Sequence, residues 1–120
     1  MSFHATFDGG EGNGHSVSAS HDDEAGRRAG LEFNPAGDPA IGCVKAFAAC
    51  AMQAVVDARN AEKFRYGQIE GPSTAQMIRH QDAMRNFATA LTQIEGGKMF
   101  AVNGIAATLA DRAEPEPAKG

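Results

Sequence analysis

Two adjacent glycines inside an otherwise helical pattern constrain this chain more than any other feature. From Arg85 to Leu109 the sequence runs RNFATALTQIEGGKMFAVNGIAATL. Leu91, Ile94, Val102, Ile105 and Leu109, with Met84 just before them, recur at the separations that collect on one stripe of a helix. Gly96 and Gly97 interrupt that stripe between Glu95 and Lys98, and each costs roughly 1 kcal/mol relative to alanine in a helix interior. A helix that keeps them must recover that cost. Either a neighbouring backbone approaches closely at the glycines, or a site is pressed against the helix there.

The rest of the chain supplies a partner for this helix. Asp38 offers an N-cap oxygen, and Pro39 is pre-set for the first helical position. Ile41, Val44, Ala48, Met52, Val55 and Ala58 then mark an apolar stripe that Phe47 and Ala51 widen, which predicts a first helix from Pro39 to Phe64. Tyr66 to Pro72 supplies two glycines and a proline for a connection. Ser73 and Gln76 have capping-box spacing, so the second helix is expected from Ser73 to Leu109, with Asn103-Gly104 weakening its last turns. Two long helices joined by a short loop make an antiparallel hairpin. The expected fold is therefore all-α, with a short turn or helix ahead of the hairpin in LEFNPAGD (Leu31 to Asp38).

The ends have a different composition. In residues 1–30 only Phe3, Phe7 and Val17 are bulky and apolar beyond Met1, too little to offset the entropy of ordering the segment, so a flexible arm is expected. His4, His15 and His21, followed by Asp22, Asp23 and Glu24, match no structural zinc spacing, and no metal or other cofactor is expected. Residues 113–120 are expected to be a disordered tail, leaving a folded domain over 31–112. A bare hairpin of this size leaves Phe47, Phe87, Met99 and Phe100 uncovered, and homo-oligomerisation is the physical expectation.

The 120-residue chain carries a net charge of -4, which offers no broad basic face for duplex nucleic acid or an anionic membrane. No uninterrupted apolar run approaches the roughly 20 residues of a membrane span, so a soluble intracellular protein is expected. Cys43 and Cys50 are seven apart, about 10 Å along a helix, which is too far to bridge. No nucleophile and base pair stands out. His80 is read as a solvated or capped side chain, and Asp57, Glu62, Asp82 and Glu95 show no pairing on one helical face. The patterning thus argues against an enzyme. Lys45, Arg79, Arg85 and Thr92 remain as anion contacts, with Phe33 either an aromatic plate for a base or a staple on the following helix.

Arg85, Thr92, Ile94, Glu95, Gly97, Met99, Val102 and Ile105 resemble, in type and spacing, the second-helix signature of phage anti-CBASS cyclic-oligonucleotide sponges. Phe33 to Ala48, with Val44, Lys45 and Ala48 in register, likewise resembles that family's approach to its first helix. A related hairpin occurs in phage anti-Thoeris sponges. The resemblance covers Phe33 to Leu109 and implies a homo-oligomer, a hexamer, that sequesters cyclic dinucleotides such as cGAMP and cyclic trinucleotides in the cytoplasm of the infected bacterial host, without cleaving them. It further implies that Phe33 stacks on a base with Asn34 beside it. Lys45, Arg85 and Thr92 would contact phosphate, and Gly96, Gly97 and Met99 would lie where protomers meet. The chain carries Phe33-Asn34-Pro35 where many relatives have a Tyr-Arg pair, and Leu91 where several have a basic residue before the threonine. A helical interaction module that binds another protein, or a protein inhibitor acting by surface mimicry, is the alternative that residue patterning leaves open.

Overall fold

The computed structural model describes residues 2–8, 14–31, 34 and 37–113. In order these form β1 (Ser2–Asp8), β2 (Gly14–Ser20), α1 (Glu24–Ala29), α2 (Pro39–Gly67), α3 (Thr74–Ala107) and α4 (Leu109–Ala113). The protein is mostly helical, and its two long helices pack against each other. It departs from an all-α fold because β1 and β2 pair as an antiparallel hairpin ahead of the helices.

Both long helices begin where local chemistry places them. The Asp38 carboxylate accepts from the Ala40 and Ile41 amides, and Pro39 opens the first turn. Ser73 accepts from the Gln76 amide while the Gln76 side chain accepts from the Ser73 amide, which completes the capping box. α2 runs three residues beyond Phe64 to Gly67, and the chain then turns through Gly71, which holds a left-handed φ of 58°. α3 passes through Asn103-Gly104 without a break and stops at Thr108, ahead of the expected end at Leu109.

Residues 2–8 and 14–30, expected as part of a flexible arm, instead pack on α2. Register pairs Phe3 with Ala19 and Ala5 with Val17, so one parity of each strand is apolar. Val17 and Ala19 are buried and Phe3 packs against them, while His4, Thr6, Ser16 and Ser18 face solvent. His4 Nδ1 lies 2.6 Å from the Ser18 hydroxyl across the ladder. A turn at Ser20–Asp23 leads into α1. The Asp23 amide donates to the Ser20 carbonyl, and the Ser20 amide donates to the Asp23 carboxylate.

α1 ends in a Schellman motif. Gly30, at φ 69°, donates to the Arg27 carbonyl and Leu31 donates to that of Gly26, which turns Leu31 into the core. Ala25, Ala29 and Leu31 then join Ala48, Ala49, Cys50, Met52 and Val56 of α2 and Leu91 of α3 in one apolar cluster. Met52 and Leu91 are its largest fully buried side chains, each contributing about 1.5–3 kcal/mol by transfer from water. The remaining core residues are mostly alanines, so the hairpin, α1 and α2 approach one another closely.

Both cysteines are free, Cys43 exposed and Cys50 buried, and burial raises the Cys50 thiol pKa. α2 is more apolar than its interrupted sequence suggests. An 18-residue window reaches a mean hydropathy of 1.6, long and apolar enough to cross a membrane by length and composition, though 39% of that window is buried inside the fold.

Near the connection, a polar cluster locks α2 to α3. His80 Nδ1 lies 2.6 Å from Glu62 Oε2, Arg65 binds both Glu62 oxygens, and the Tyr66 ring stacks on His80 with centroids 3.9 Å apart. Of the two readings of His80, solvated or capped, the structure has the capped one, with Glu62 and Tyr66 holding the ring.

Two outcomes follow from these packing facts. A methyl group on Gly26 would sit 1.8 Å from the Ser20 carbonyl oxygen, on backbone that cannot swing aside. Gly26→Ala gains at most about 1 kcal/mol of helix propensity and loses more to the clash. We expect a net destabilisation of about 1–3 kcal/mol by urea unfolding; a Gly26→Ala variant as stable as the parent would place the hairpin elsewhere. The hydrogen bond that the Glu62 carboxyl accepts from Arg65, followed by the one it accepts from His80, holds it down at about 2 from an ordinary 4.5. A folded pKa below the unfolded one stabilises above pH 4.5, and that contribution is lost as the pH falls towards 2. Melting temperatures across that interval should fall more steeply for the parent protein than for Glu62→Gln; identical slopes would remove the cluster from the acid response.

Candidate functional site

α1 and α3 meet in a cleft of about 360 Å³ lined by Arg28, Thr92, Glu95, Gly96, Lys98 and Met99. Arg28 occupies the last turn of α1. The other five residues lie within eight positions on α3, so the helical repeat alone brings them to one region. Arg28 Nε donates to Glu95 Oε2 at 2.7 Å, the direct ionic link between these helices.

That ion pair ends a longer alternation of charge. Arg59 on α2 binds both oxygens of Glu24 at 3.1 and 3.2 Å, Glu24 lies 3.8 Å from Arg28, and Arg28 reaches Glu95. The hydrogen bond from Arg59 holds the Glu24 carboxyl below its usual range. α1, only six residues long, is thus tied ionically to both long helices. Partly exposed pairs of this kind contribute modestly one by one, and their main effect is to fix where Arg28 sits.

Lys45 of α2 lies against the C-terminal end of α1. Only 7% of it is exposed, and its ammonium passes close to Gly30 there, at an end that favours a cation. Burial, and secondarily the charge of Lys98, lowers the Lys45 pKa. Lys98 of α3 lines the cleft together with Glu95, which Arg28 engages. Such a cleft can hold an anion by charge.

The expected site residues divide. Thr92, Gly96 and Met99 line the cleft together, and Lys45 lies against the end of α1. Thr92 Oγ1 donates to the Ala88 carbonyl at 3.1 Å. Arg85 is exposed, pairs with Asp82 at 3.4 Å and sits two turns away, about 10 Å along α3. Asn34 is occupied in the turn before α2, where its amide donates to the Asp38 carbonyl at 3.1 Å and its buried Oδ1 has no hydrogen-bond partner among the described residues. Phe33 lies outside the described residues. Around Gly96 and Gly97 no atom comes within 4 Å of an added Cβ, so no described segment of the same chain uses the close approach they permit.

Arg28 and Lys98 were not among the expected contacts. Lys98 follows the glycine pair directly, and its place beside Thr92 and Met99 on α3 could have suggested it. Nothing in the sequence pairs Arg28 with Glu95, 67 positions away.

A second cavity, about 440 Å³, lies between β1 and the first turns of α2 and is lined by Phe3, His4, Pro39, Gly42, Cys43, Ala46, Phe47 and Cys50. It is largely apolar and carries none of the expected contacts. Among the described residues no group of three or more His, Cys, Asp or Glu side chains could hold a metal ion. In comparisons with known proteins, no family model, no curated protein and no solved structure matched the chain.

Proposed function

We propose that the protein binds cyclic oligonucleotide second messengers, cyclic dinucleotides such as cGAMP and also cyclic trinucleotides, and releases them unchanged. By lowering their free concentration in the cytoplasm of an infected bacterial host, it would silence CBASS defence effectors. The observation that carries this reading is the cleft at Thr92, Gly96 and Met99. Thr92 and Met99 are positions at which the sequence resembles the sponge family, and Arg28 and Lys98 line the same cleft. Phosphodiesters need cations placed by the fold, and Arg28 and Lys98 supply two at this cleft.

Assembly belongs to the same reading. Phe47, Phe64 and Phe100 are 63%, 72% and 73% exposed, and Leu91 is the one buried residue of α3 among those described. A second copy would cover these apolar faces, and the open surface at Gly96 and Gly97 would admit its backbone. The resemblance makes the assembly a hexamer with pockets between protomers.

The same exposed aromatics favour one other reading, a module that binds a different protein through these faces and no nucleotide. Calorimetry of the full chain against cyclic dinucleotides, cyclic triadenylate and cyclic ADP-ribose isomers separates the two. Binding is expected, with intact ligand recovered after heat denaturation. No binding of any of them at tens of micromolar would leave the interaction module, and recovery of a hydrolysed product would make the protein a phosphodiesterase.

A further inference from the structure

The carboxylate in the cleft stands in an unexpected place. Glu95 and Lys98 are three apart on α3, a spacing at which opposite charges often pair with each other. Glu95 instead reaches across to Arg28 at 2.7 Å, while Lys98 lines the same cleft and repels the buried Lys45. Arg28 is held from behind by Glu24, but at 3.8 Å, longer than its contact with Glu95. Arg28 and Lys98 thus both line the seam, and the Glu95 carboxylate between the helices is 43% exposed, so it can swing out to water. Arginine presents a planar fork suited to two phosphate oxygens, and lysine a compact point charge. The Thr92 hydroxyl already donates to the Ala88 carbonyl, which leaves the charge-bearing role to the cations.

We infer that Arg28 and Lys98 form a phosphate-binding pair at the α1–α3 seam, and that Glu95 is a built-in competitor whose place on Arg28 the phosphate takes. The inference rests on the binding role proposed for this cleft, and it names the residues and the ligand group concerned. The ligand chemistry is a phosphate oxyanion, either in a phosphodiester ring or free. Exchange of one carboxylate for one phosphate keeps Arg28 paired in both states. α1 therefore stays seated, and occupancy is set by competition between two anions.

The test uses the full chain at low ionic strength, where such contacts are least screened, with inorganic pyrophosphate and 3′,3′-cyclic GMP–AMP as separate titrants. Glu95→Gln removes the competitor and should tighten binding about tenfold, whereas Lys98→Ala should weaken it about tenfold, the scale of one charge-assisted hydrogen bond. Because Arg28 also anchors α1, Arg28→Lys is the variant of choice. It keeps the charge, loses the fork and should also weaken binding. Melting curves confirm that each variant is folded. A residue that only braced the fold would lower stability on substitution, and no such role predicts tighter binding in Glu95→Gln.

Unchanged or weaker affinity in Glu95→Gln overturns the inference. If the cyclic dinucleotide binds the parent and all three variants equally, the sponge reading survives with its site elsewhere and this inference fails. If pyrophosphate follows the expected pattern while no cyclic oligonucleotide binds, the phosphate site stands and the sponge reading falls. Binding of neither titrant to the parent protein overturns the inference, and the sponge reading then falls if no other cyclic oligonucleotide binds either.

Discussion

The structure depends on the close fit of small residues along the first half of α2. Ala48 and Ala49, with Met52 and Val56 further on, meet Ala19 of the hairpin and Ala25 and Ala29 of α1 in one cluster. Alanine contributes little transfer energy, but it lets backbones approach until larger side chains such as Met52 and Leu91 are fully enclosed. Gly26 carries the same logic to its limit, since the Ser20 carbonyl lies where even a methyl group would have to be. Without this seam α1 would not be seated, and Arg28 would not reach α3.

The cleft follows from that placement. α1 is too short to be stable by itself, so it is held by its apolar face, by its Schellman turn and by the chain of charges from Arg59 to Glu95. Its C-terminal end covers Lys45, which keeps a lysine in the interior close to another lysine on α3. Burial first, and the charge of Lys98 second, lower the Lys45 pKa.

The long helices were legible in the sequence because their starts are decided by residues a few positions apart. Asp38 with Pro39, and Ser73 with Gln76, satisfy the first amides whatever the rest of the chain does. The hairpin was not legible from a count of bulky apolar groups, because its inward face is built partly from alanine. The parity of Phe3, Ala5 and Phe7 against Val17 and Ala19 was the usable signal. Gly30 followed by Leu31 was a second such signal, the glycine and buried apolar residue of a helix end. Thr92, expected as a phosphate contact, and Gly96 and Met99, expected where protomers meet, line one cleft because they share a short stretch of α3. Lys45 could be named but not located, since its burial is decided by α1. Arg28 with Glu95, and Glu62 with His80, are joined only by the fold.

In the binding role proposed above, the N-terminal unit completes an anion cleft against α3. Hydrogen exchange of the full chain, with and without saturating pyrophosphate, tests it most directly. The account predicts that amides of 25–31 are already protected in the free protein, and that ligand slows exchange further at 25–31 and 92–99 while leaving 62–80 unchanged. Fast exchange across 25–31 in the free protein, or ligand protection that spares both segments of the seam, would contradict it.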